Sequence, residues 1–317
     1  MSKNLISIII PTYNRAHYLE ETLNSIINQT HQNWECIIID DRSTDNTKDV
    51  ISGYLKNDRR FGYTMRPSTL PKGANSCRNY GFGLATGDFV KWFDSDDIMV
   101  PEHLEILLEA LLLNKVDFVV GDTENFEDET GKTSGKPYQF NREKIKITAE
   151  AFAKQQIGWI TDDFLGRKAS LNKIKFNTGI LTDGDEYNFF TRFLIGNEKG
   201  VFVNKILTHR RLHNETLSNP EKYDKIAGFY KVSKIKYLTF IDIKGSNEKN
   251  LKRWFLKGYM LNSYNLAKTR NRPYKLYESL PYIKTYYSLT KAISFLMSIY
   301  SVWMISKGYF LLKYSRD

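Results

Sequence analysis

The stretch KWFDSDDIMVP, residues 91–101, places three carboxylates, Asp94, Asp96 and Asp97, directly after an apolar run. Phe89–Phe93 is typical of a buried strand, so the acids mark the end of that strand. Like charges this close repel one another, and neutralising them by protonation is costly at pH 7. A fold that concentrates negative charge at a strand end therefore needs a positive partner there.

The chain around this stretch alternates between apolar runs and segments of helical periodicity. Continuous apolar runs are expected of strands that are buried on both faces of a sheet. Strand–helix alternation at this period predicts an α/β fold with a mostly parallel sheet flanked by helices. The predicted strands are residues 5–10, 35–40, 61–65, 88–93 and 116–120.

Residues 121–150 are polar and irregular, and we expect loops or a hairpin there. Their acid-rich part, DTENFEDETG (122–131), lacks the glycine at the sixth position of an EF-hand loop. That part is therefore interpreted as a solvated loop rather than a calcium site.

Three polar segments follow predicted strands: PTYN (11–14), DDRSTD (40–45) and DSDD (94–97). Ligands of parallel sheets bind beyond the carboxyl ends of the strands, so we expect these segments to converge on one cleft. The absence of GxGxxG and Walker A sequences disfavours a dinucleotide or P-loop site. Carboxylates two positions apart can instead hold Mg²⁺ or Mn²⁺, which neutralises a bound diphosphate.

The bulk composition is that of an ordinary globular protein, with 317 residues, 41% hydrophobic and 26% charged. The two cysteines, Cys36 and Cys77, have no CxxC partner, which disfavours a disulfide scaffold and a zinc site. The apolar run in MSKNLISIIIPTYN is too short for a signal peptide. We therefore expect a reducing, cytoplasmic location.

Charge and aromatic residues are distributed unevenly along the chain. Residues 221–317 carry 19 Lys and Arg against 6 Asp and Glu, a net charge of +13, which leaves −3 for residues 1–220. The same C-terminal part holds 20 of the 44 aromatic residues. The two parts are thus expected to face different partners.

Four motifs occur in order along the chain: ISIIIPTYNRAHYLEETLNSIINQT (6–30), WECIIIDDRSTDNT (34–47), KGANSCRNYGFGLATGDFVKWFDSDDIMVP (72–101) and DGDEYNFFTRF (183–193). Together they resemble a family 2 glycosyltransferase with the GT-A fold over roughly residues 4–220. The resemblance implies a Rossmann-like catalytic domain at 1–220 and a helical extension at 221–317. It also implies inverting transfer of a sugar from a nucleotide-sugar donor, by expectation a UDP-sugar, to an acceptor hydroxyl, with Mn²⁺ or Mg²⁺ as cofactor.

Site residues carried over from this resemblance fall into three groups. The metal-binding DxD element matches Asp94 and Asp96, with Asp96 the preferred ligand and Asp97 either a ligand or a supporting group. The base of such enzymes lies six positions before an arginine, and counting back from Arg192 gives Glu186, with the adjacent Asp185 as the alternative. The donor-binding matches are Pro11, Thr12, Tyr13, Asp40, Arg78, Ser95, Arg211 and His213.

The sequence departs from the family pattern at two of these elements. After the second strand it reads DDRS, with Arg42 where relatives often have glycine. Arg42 is expected either near the donor phosphates or in solvent. The candidate base is Glu186, where many relatives have Asp, which moves the carboxylate by about one methylene.

The apolar segment AISFLMSIYSVWMIS (292–306) is flanked by Lys291 and Lys307. A membrane-spanning helix needs about 20 apolar residues, so we favour a helix that lies at an anionic membrane surface. Packing as an ordinary core helix and a dimer contact are the alternatives. The expected protein is peripheral on the inner face of the cell membrane.

Cell-surface polysaccharide or glycolipid assembly is the expected setting, with a glycan or lipid-linked acceptor. One rival function is a non-catalytic nucleotide-sugar-binding protein on the same fold, which would be expected to lack one of the carboxylates. The other is a polyanion or anionic-lipid binder built on the basic tail. No nucleic-acid motif occurs, so no nucleic-acid partner is expected.

Overall fold

The structure, a computed structural model, describes residues 4–181, 183–214 and 224–316. The described residues of 1–181 and 189–216 form one unit, and those of 182–188 and 217–317 form a second. The boundary expected between residues 220 and 221 lies in 215–223, outside the described residues, and stays a prediction.

The first unit is built on one sheet flanked by helices. Its strands are β1 (Ile6–Thr12), β2 (Trp34–Asp40), β3 (Phe61–Met65), β4 (Phe89–Trp92), β5 (Ile98–Met99), β6 (Phe118–Glu127), β7 (Phe164–Arg167) and β8 (Gly200–Leu212). The helices between them are α1 (Ala16–Ile27), α2 (Thr47–Asn57), α3 (Ala74–Leu84), α4 (His103–Leu113), α5 (Ala149–Ala153) and α6 (Lys168–Leu171), with a 3-10 helix at Thr161–Asp163. Helix α7 (Asp185–Leu194) begins in the second unit and ends in the first.

The strand order is β3-β2-β1-β4-β7-β6-β8-β5. Strands β1 to β4 pair in parallel, whereas β7 and β5 run antiparallel to their neighbours. The register sets Thr12 level with Asp40, and Ile9 level with Trp92, two residues before Asp94. The polar segments after β1, β2 and β4 therefore lie at the same edge of the sheet, as the sequence predicts.

Apolar residues of β1 and β2 form the centre of the core, packed against one face of α1. Leu19, Leu23 and Ile26 recur at helical spacing and are fully buried. On α3, a Cβ at Gly81 would lie 2.5 Å from Ile9 Cγ2, so this helix approaches the sheet closely. That approach fixes the position of Arg78, one turn earlier on the same helix.

The predicted α/β fold class is confirmed, including the five predicted strands and a helical C-terminal part. The interpretation of residues 121–150 as loops or a hairpin is wrong for their first part. β6 continues to Glu127 because it pairs with β8 as far as Leu212, and this pairing buries Thr123 and Asn125 within DTENFEDETG. The sequence did not indicate β5, β7 or β8.

The second unit is helical, with α8 (Lys225–Ile243), α9 (Lys249–Ala267), α10 (Leu276–Tyr286), α11 (Leu289–Ile305) and α12 (Tyr309–Arg316). Helix α9 packs against α8, α10, α11 and α12. Buried hydroxyls in this unit mostly bond to carbonyls of their own helix, as Ser298 does with Phe295. In the part of the chain that the structure describes, every helix is too short or too polar to cross a membrane.

Candidate active site

Asp40 ends β2 in a fixed orientation. Its Oδ1 accepts hydrogen bonds from the amide and the hydroxyl of Ser43 at 2.8 and 2.7 Å, and its Oδ2 accepts one from the Tyr63 hydroxyl at 2.9 Å. The residue is 2% exposed. These donors compensate the burial of the carboxylate and hold it at the carboxyl end of the sheet.

Asp41, the next residue, connects the end of β2 to the loop before α3. It forms an ion pair with Arg66 and accepts a hydrogen bond from the Gly73 amide at 2.8 Å. Arg42 follows with a φ of +65° and is exposed. This left-handed conformation favours glycine, which gives a physical reason for the glycine of related sequences at this position.

The turn after β1 presents one aromatic ring to solvent. Pro11 and Thr12 are buried, whereas Tyr13 is 40% exposed. The Lys72 ammonium lies 4.2 Å from the centre of the Tyr13 ring, within cation–π range. The turn thus offers a flat, partly exposed ring beside a cation at the sheet edge.

Asp94 and Arg78 form an ion pair at the end of β4. The guanidinium donates to Asp94 Oδ1 at 2.8 Å and to Asn75 Oδ1 at 3.2 Å. Arg78 is buried, but 39% of the Asp94 side chain is exposed. Ser95, the next residue, is buried. One acid of the DSDD turn therefore remains open to solvent although it is paired.

Asp96 is held between two side chains from distant parts of the sequence. Arg15 Nε donates to its Oδ2 at 3.2 Å, and His213 Nε2 lies 3.1 Å from the same oxygen. Burial opposes ionisation, but the hydrogen bond from His213 and the charge of Arg15 outweigh it and lower the pKa of Asp96. Asp96 is thus negatively charged at neutral pH.

Asp97 has a different environment from its two neighbours. It is 3% exposed, and its Oδ1 accepts the backbone amide of Arg211 at 2.8 Å. Burial, together with the charges of Asp96 and Asp94, raises the pKa of Asp97 well above its usual range. This geometry is typical of a side chain that anchors the turn.

Arg211 joins the DSDD turn to two further acids. Its Nε donates to the Asp96 carbonyl at 2.9 Å, and its Nη1 donates to Asp128 at 2.6 Å. The guanidinium also pairs with Glu21 and lies 4.9 Å from the Tyr18 ring centre. Arg211 therefore holds the turn through its backbone and is itself held by carboxylates.

Two buried residues that support the DSDD turn were not assigned a role from the sequence. Asp162, in the 3-10 helix, accepts the Asp94 amide at 3.1 Å, and Lys91 of β4 donates to the Asp162 carbonyl. Both are fully buried. Burial raises the pKa of Asp162 well above its usual range, and burial lowers the pKa of Lys91 to about 8. The sequence indicates these two residues only weakly, because each is simply a polar residue beside an apolar run.

The two candidate bases lie in the second unit, in the first turn of α7. Asp185 Oδ1 accepts the Glu186 amide at 2.9 Å, so it satisfies one of the unpaired amides of the helix start. Asn188, one turn later, donates to Thr239 and Asp242 of α8. The assignment of Glu186 as the base, with Asp185 as the alternative, stays a prediction.

Comparison with known proteins identifies the family. Residues 7–175, more than half of the chain, match the family model described as glycosyl transferase family 2. The chain belongs to this family. The prediction of a glycosyltransferase is thereby confirmed, and it is favoured over a non-catalytic binding protein.

Three known proteins similar to this glycosyltransferase are informative. The UDP-Glc:alpha-D-GlcNAc-diphosphoundecaprenol beta-1,3-glucosyltransferase WfgD of Escherichia coli is 35% identical over 39% of this chain and 47% of its own length. S. aureus TarS 1-349 in complex with UDP-GlcNAc has a TM-score of 0.66 at 22% identity over 98% of this chain and 87% of its own. The mannosyltransferase PcManGT from Pyrobaculum calidifontis, in complex with GDP-Man and Mn²⁺, has a TM-score of 0.53 at 15% identity over 95% of this chain and 87% of its own. At these identities the two structures show the fold alone.

Two carboxylates of the DSDD turn in this glycosyltransferase have the chemistry to hold a divalent cation. Within residues 4–181, 183–214 and 224–316, no three His, Cys, Asp or Glu side chains are grouped as metal ligands. Mg²⁺, however, is usually bound through one or two carboxylates plus substrate phosphates. Asp94 and Asp96, partly exposed at 39% and 21% of their side chains, supply two hard oxygen donors of that kind. The donor set fits such a cation, and buried Asp97 fits it less well.

Proposed function

We propose that this glycosyltransferase transfers a sugar from a UDP-sugar to an acceptor hydroxyl, with inversion at the anomeric carbon and with Mn²⁺ or Mg²⁺ as cofactor. One observation carries the proposal. Asp94 and Asp96 lie partly exposed at the carboxyl edge of the sheet, on the same edge as Asp40 and Tyr13, where parallel sheets bind ligands. The donor in the name of WfgD, UDP-Glc, supports a uridine nucleotide.

The geometry of the first unit supports the proposed donor-binding roles. Asp40 lies at the same sheet edge and is the candidate acceptor for an N–H of the nucleobase, and the Tyr13 ring offers a stacking surface. Arg78 presents its guanidinium beside Asp94, where it can donate to a phosphate. Asp94 and Asp96 would hold the metal ion, which neutralises charge on the departing diphosphate when bound.

The remaining residues position this constellation or act on the acceptor. Asp97 and Arg211 hold the turn through backbone bonds, and Arg15 and His213 keep Asp96 ionised. Glu186 accepts the proton of the acceptor hydroxyl as that oxygen attacks the anomeric carbon, with Asp185 as the alternative base. The proton moves from the acceptor oxygen to the carboxylate, and the nucleoside diphosphate leaves on the opposite face of the sugar.

The acceptor in this proposal is a glycan or a lipid-linked glycan used in cell-surface polysaccharide or glycolipid assembly. WfgD, whose name gives a diphosphoundecaprenol-linked acceptor, supports this choice. A lipid-linked acceptor requires the enzyme at a membrane, so we place it in the cytoplasm, peripheral on the inner face of the cell membrane.

A panel of nucleotide sugars tests the proposal. Purified protein is incubated with each donor in the presence of Mn²⁺, Mg²⁺ or EDTA, with water as the acceptor of the sugar, and the release of nucleoside diphosphate is measured. We expect metal-dependent release from at least one UDP-sugar, and none in EDTA. Release that is equal in EDTA would contradict metal dependence. Tight binding of a donor without any release would favour the non-catalytic alternative.

A further inference from the structure

Helix α11 carries an exposed apolar stripe along one face. Its members follow one another at intervals of four, four, three and four residues, which places them on one side of a helix over about 22 Å. Each is between 39% and 79% exposed. The stripe consists of Leu289, Ile293, Met297, Tyr300 and Met304.

The opposite face of α11 is anchored in the second unit. Phe295 and Ile299 are fully buried, and the Phe295 ring lies 6.1 Å from the ring of Tyr259 on α9. The Ser288 hydroxyl caps the helix by accepting the Lys291 amide at 3.2 Å. Because this face holds the helix in place, the stripe cannot turn inward to escape water.

Helix α12 folds back along α11 and carries a further exposed apolar side chain. Ser294 donates to the Leu311 carbonyl at 2.8 Å, and Lys291 donates to the Tyr314 carbonyl at 2.6 Å. At the turn between the helices, Ile305 is 63% exposed and Phe310 is 81% exposed. We call the stripe together with Ile305 and Phe310 the α11–α12 face. Apolar area of this extent is unusual on a surface that meets only water.

Every charged residue within α11 and α12 is positive. Between Glu278 and Asp317 the sequence has no acidic residue. A second copy of the chain docked through the same helices would bring two sets of cations together without a compensating acid from α11 or α12. An anionic lipid surface would neutralise the same cations. The basic residues of this segment are Lys284, Lys291, Lys307, Lys313 and Arg316.

We propose that the α11–α12 face docks on an anionic lipid bilayer, with its apolar side chains at the depth of the headgroups and the flanking lysines on the lipid charges. Amphipathic helices bind membranes in this way, through apolar area and attraction to anionic lipid. The proposal rests on the proposed function only in taking the acceptor to be at a membrane. It identifies the docking surface as α11 and α12 of the second unit.

Vesicle co-sedimentation of the full chain tests the α11–α12 face. The protein is mixed with phosphatidylcholine vesicles with and without phosphatidylglycerol, at low and high salt. The test variant is the double substitution Met304→Glu and Phe310→Glu, at positions 79% and 81% exposed. The matched control is Leu113→Glu, at a position 83% exposed on α4 of the first unit.

We expect the full chain to bind phosphatidylglycerol vesicles, more weakly at high salt, and the double variant to bind at least about tenfold more weakly. The control should bind like the wild type, and all three proteins should melt at similar temperatures. Failure of the wild type to bind, or equal binding by the double variant, would refute the proposal. A wild-type dimer that the double variant converts to monomer would refute it in favour of self-association.

Measuring the release of UDP from a soluble donor distinguishes a failure of the docking proposal from a failure of the proposed function. The double variant should release UDP at the wild-type rate. Vesicle binding without any donor turnover would contradict sugar transfer and leave the docking face supported. Turnover without vesicle binding would contradict the docking face alone.

Discussion

The two units of this glycosyltransferase differ in the polar groups that they bury and in the arrangement of their exposed apolar side chains. In the first unit, charged side chains are buried and paired, as in Asp41 with Arg66 and Lys91 with the Asp162 carbonyl. In the second, the buried polar groups are mostly hydroxyls, and large apolar side chains such as Met304 and Phe310 are exposed. Buried charge is the costlier arrangement, because each ion must keep a partner to offset its desolvation.

From this contrast we expect the first unit to carry out the reaction and the second unit to determine where the protein binds. A network of paired charges at a strand edge holds a few carboxylates in a fixed geometry and ionisation state, as it does for Asp96. An exposed apolar face contributes no hydrogen bond or charge to such a network. It can, however, be buried against a partner and so lose its contact with water. Substitutions in the first unit are thus expected to affect turnover, whereas those on the α11–α12 face are expected to affect where the protein is bound.

The largest expected effect is that of Asp96→Asn. Removing this charge deletes one of the two proposed metal-ligand carboxylates, and we expect turnover to fall by at least about 10³-fold with the fold retained. Steady-state UDP release and a thermal melt measure the two properties. The matched control is Asp58→Asn, because Asp58 also pairs with an arginine and has 19% of its side chain exposed. Similar turnover in the two variants would contradict the assignment of Asp96 as a metal ligand.

The next effect concerns the candidate base. Glu186→Gln keeps the size of the side chain but cannot accept a proton, so transfer should fall by about 10²-fold or more while donor binding remains. Single-turnover kinetics and donor titration distinguish the two steps. Asp185→Asn is the comparison variant. If Asp185→Asn shows this pattern and Glu186→Gln does not, the base is one position earlier.

Asp162 supports the DSDD turn by accepting the Asp94 amide, and its substitution should affect stability. Asp162→Leu removes the acceptor of the Asp94 amide inside the protein, so we expect a loss of about 1–3 kcal/mol in the free energy of unfolding. Asp162→Asn keeps an acceptor oxygen and should stay within about 1 kcal/mol of the wild type. Denaturant unfolding measures both. Equal losses in the two variants would contradict a role through the Asp94 amide.

The smallest expected effect compares backbone strain in the two units. Arg42 in the first unit has a φ of +65°, and Lys275 in the second has a φ of +52°. Glycine relieves this strain but loses more entropy on folding, so Arg42→Gly and Lys275→Gly should each gain about 0.5–1 kcal/mol. Denaturant midpoints measure the gain. A donor affinity that falls only in Arg42→Gly would place that side chain at the phosphates, and unchanged affinity would place it in solvent.

The first unit was largely predictable because its central strands are continuous apolar runs. The runs that form β1, β2 and β4 are unambiguous, and parallel packing puts their polar ends on one edge. The side chains that pair with the polar residues at these strand ends were not predictable from the sequence. Arg15 is 81 residues from Asp96, and Lys91 is 71 residues from Asp162, so nothing local signals these pairs.

In the second unit, the sequence predicted the helical content but not the two faces of α11. The run 292–306 is apolar on all sides, so periodicity alone cannot separate buried Phe295 and Ile299 from exposed Ile293 and Met297. Packing against α9 and α10 decides which side is inside. The alternative of an ordinary core helix describes the buried face, and docking of the exposed face at an anionic membrane surface stays a prediction.

Calorimetric titration of UDP into the wild type and into Asp94→Asn, with and without Mn²⁺, tests the central claim most directly. The claim is that Asp94 and Asp96 at the carboxyl edge bind a divalent cation together with the donor diphosphate. We expect Mn²⁺ to tighten UDP binding at least about tenfold in the wild type and to have little effect in Asp94→Asn. Equal tightening in both proteins, or none in the wild type, would contradict it.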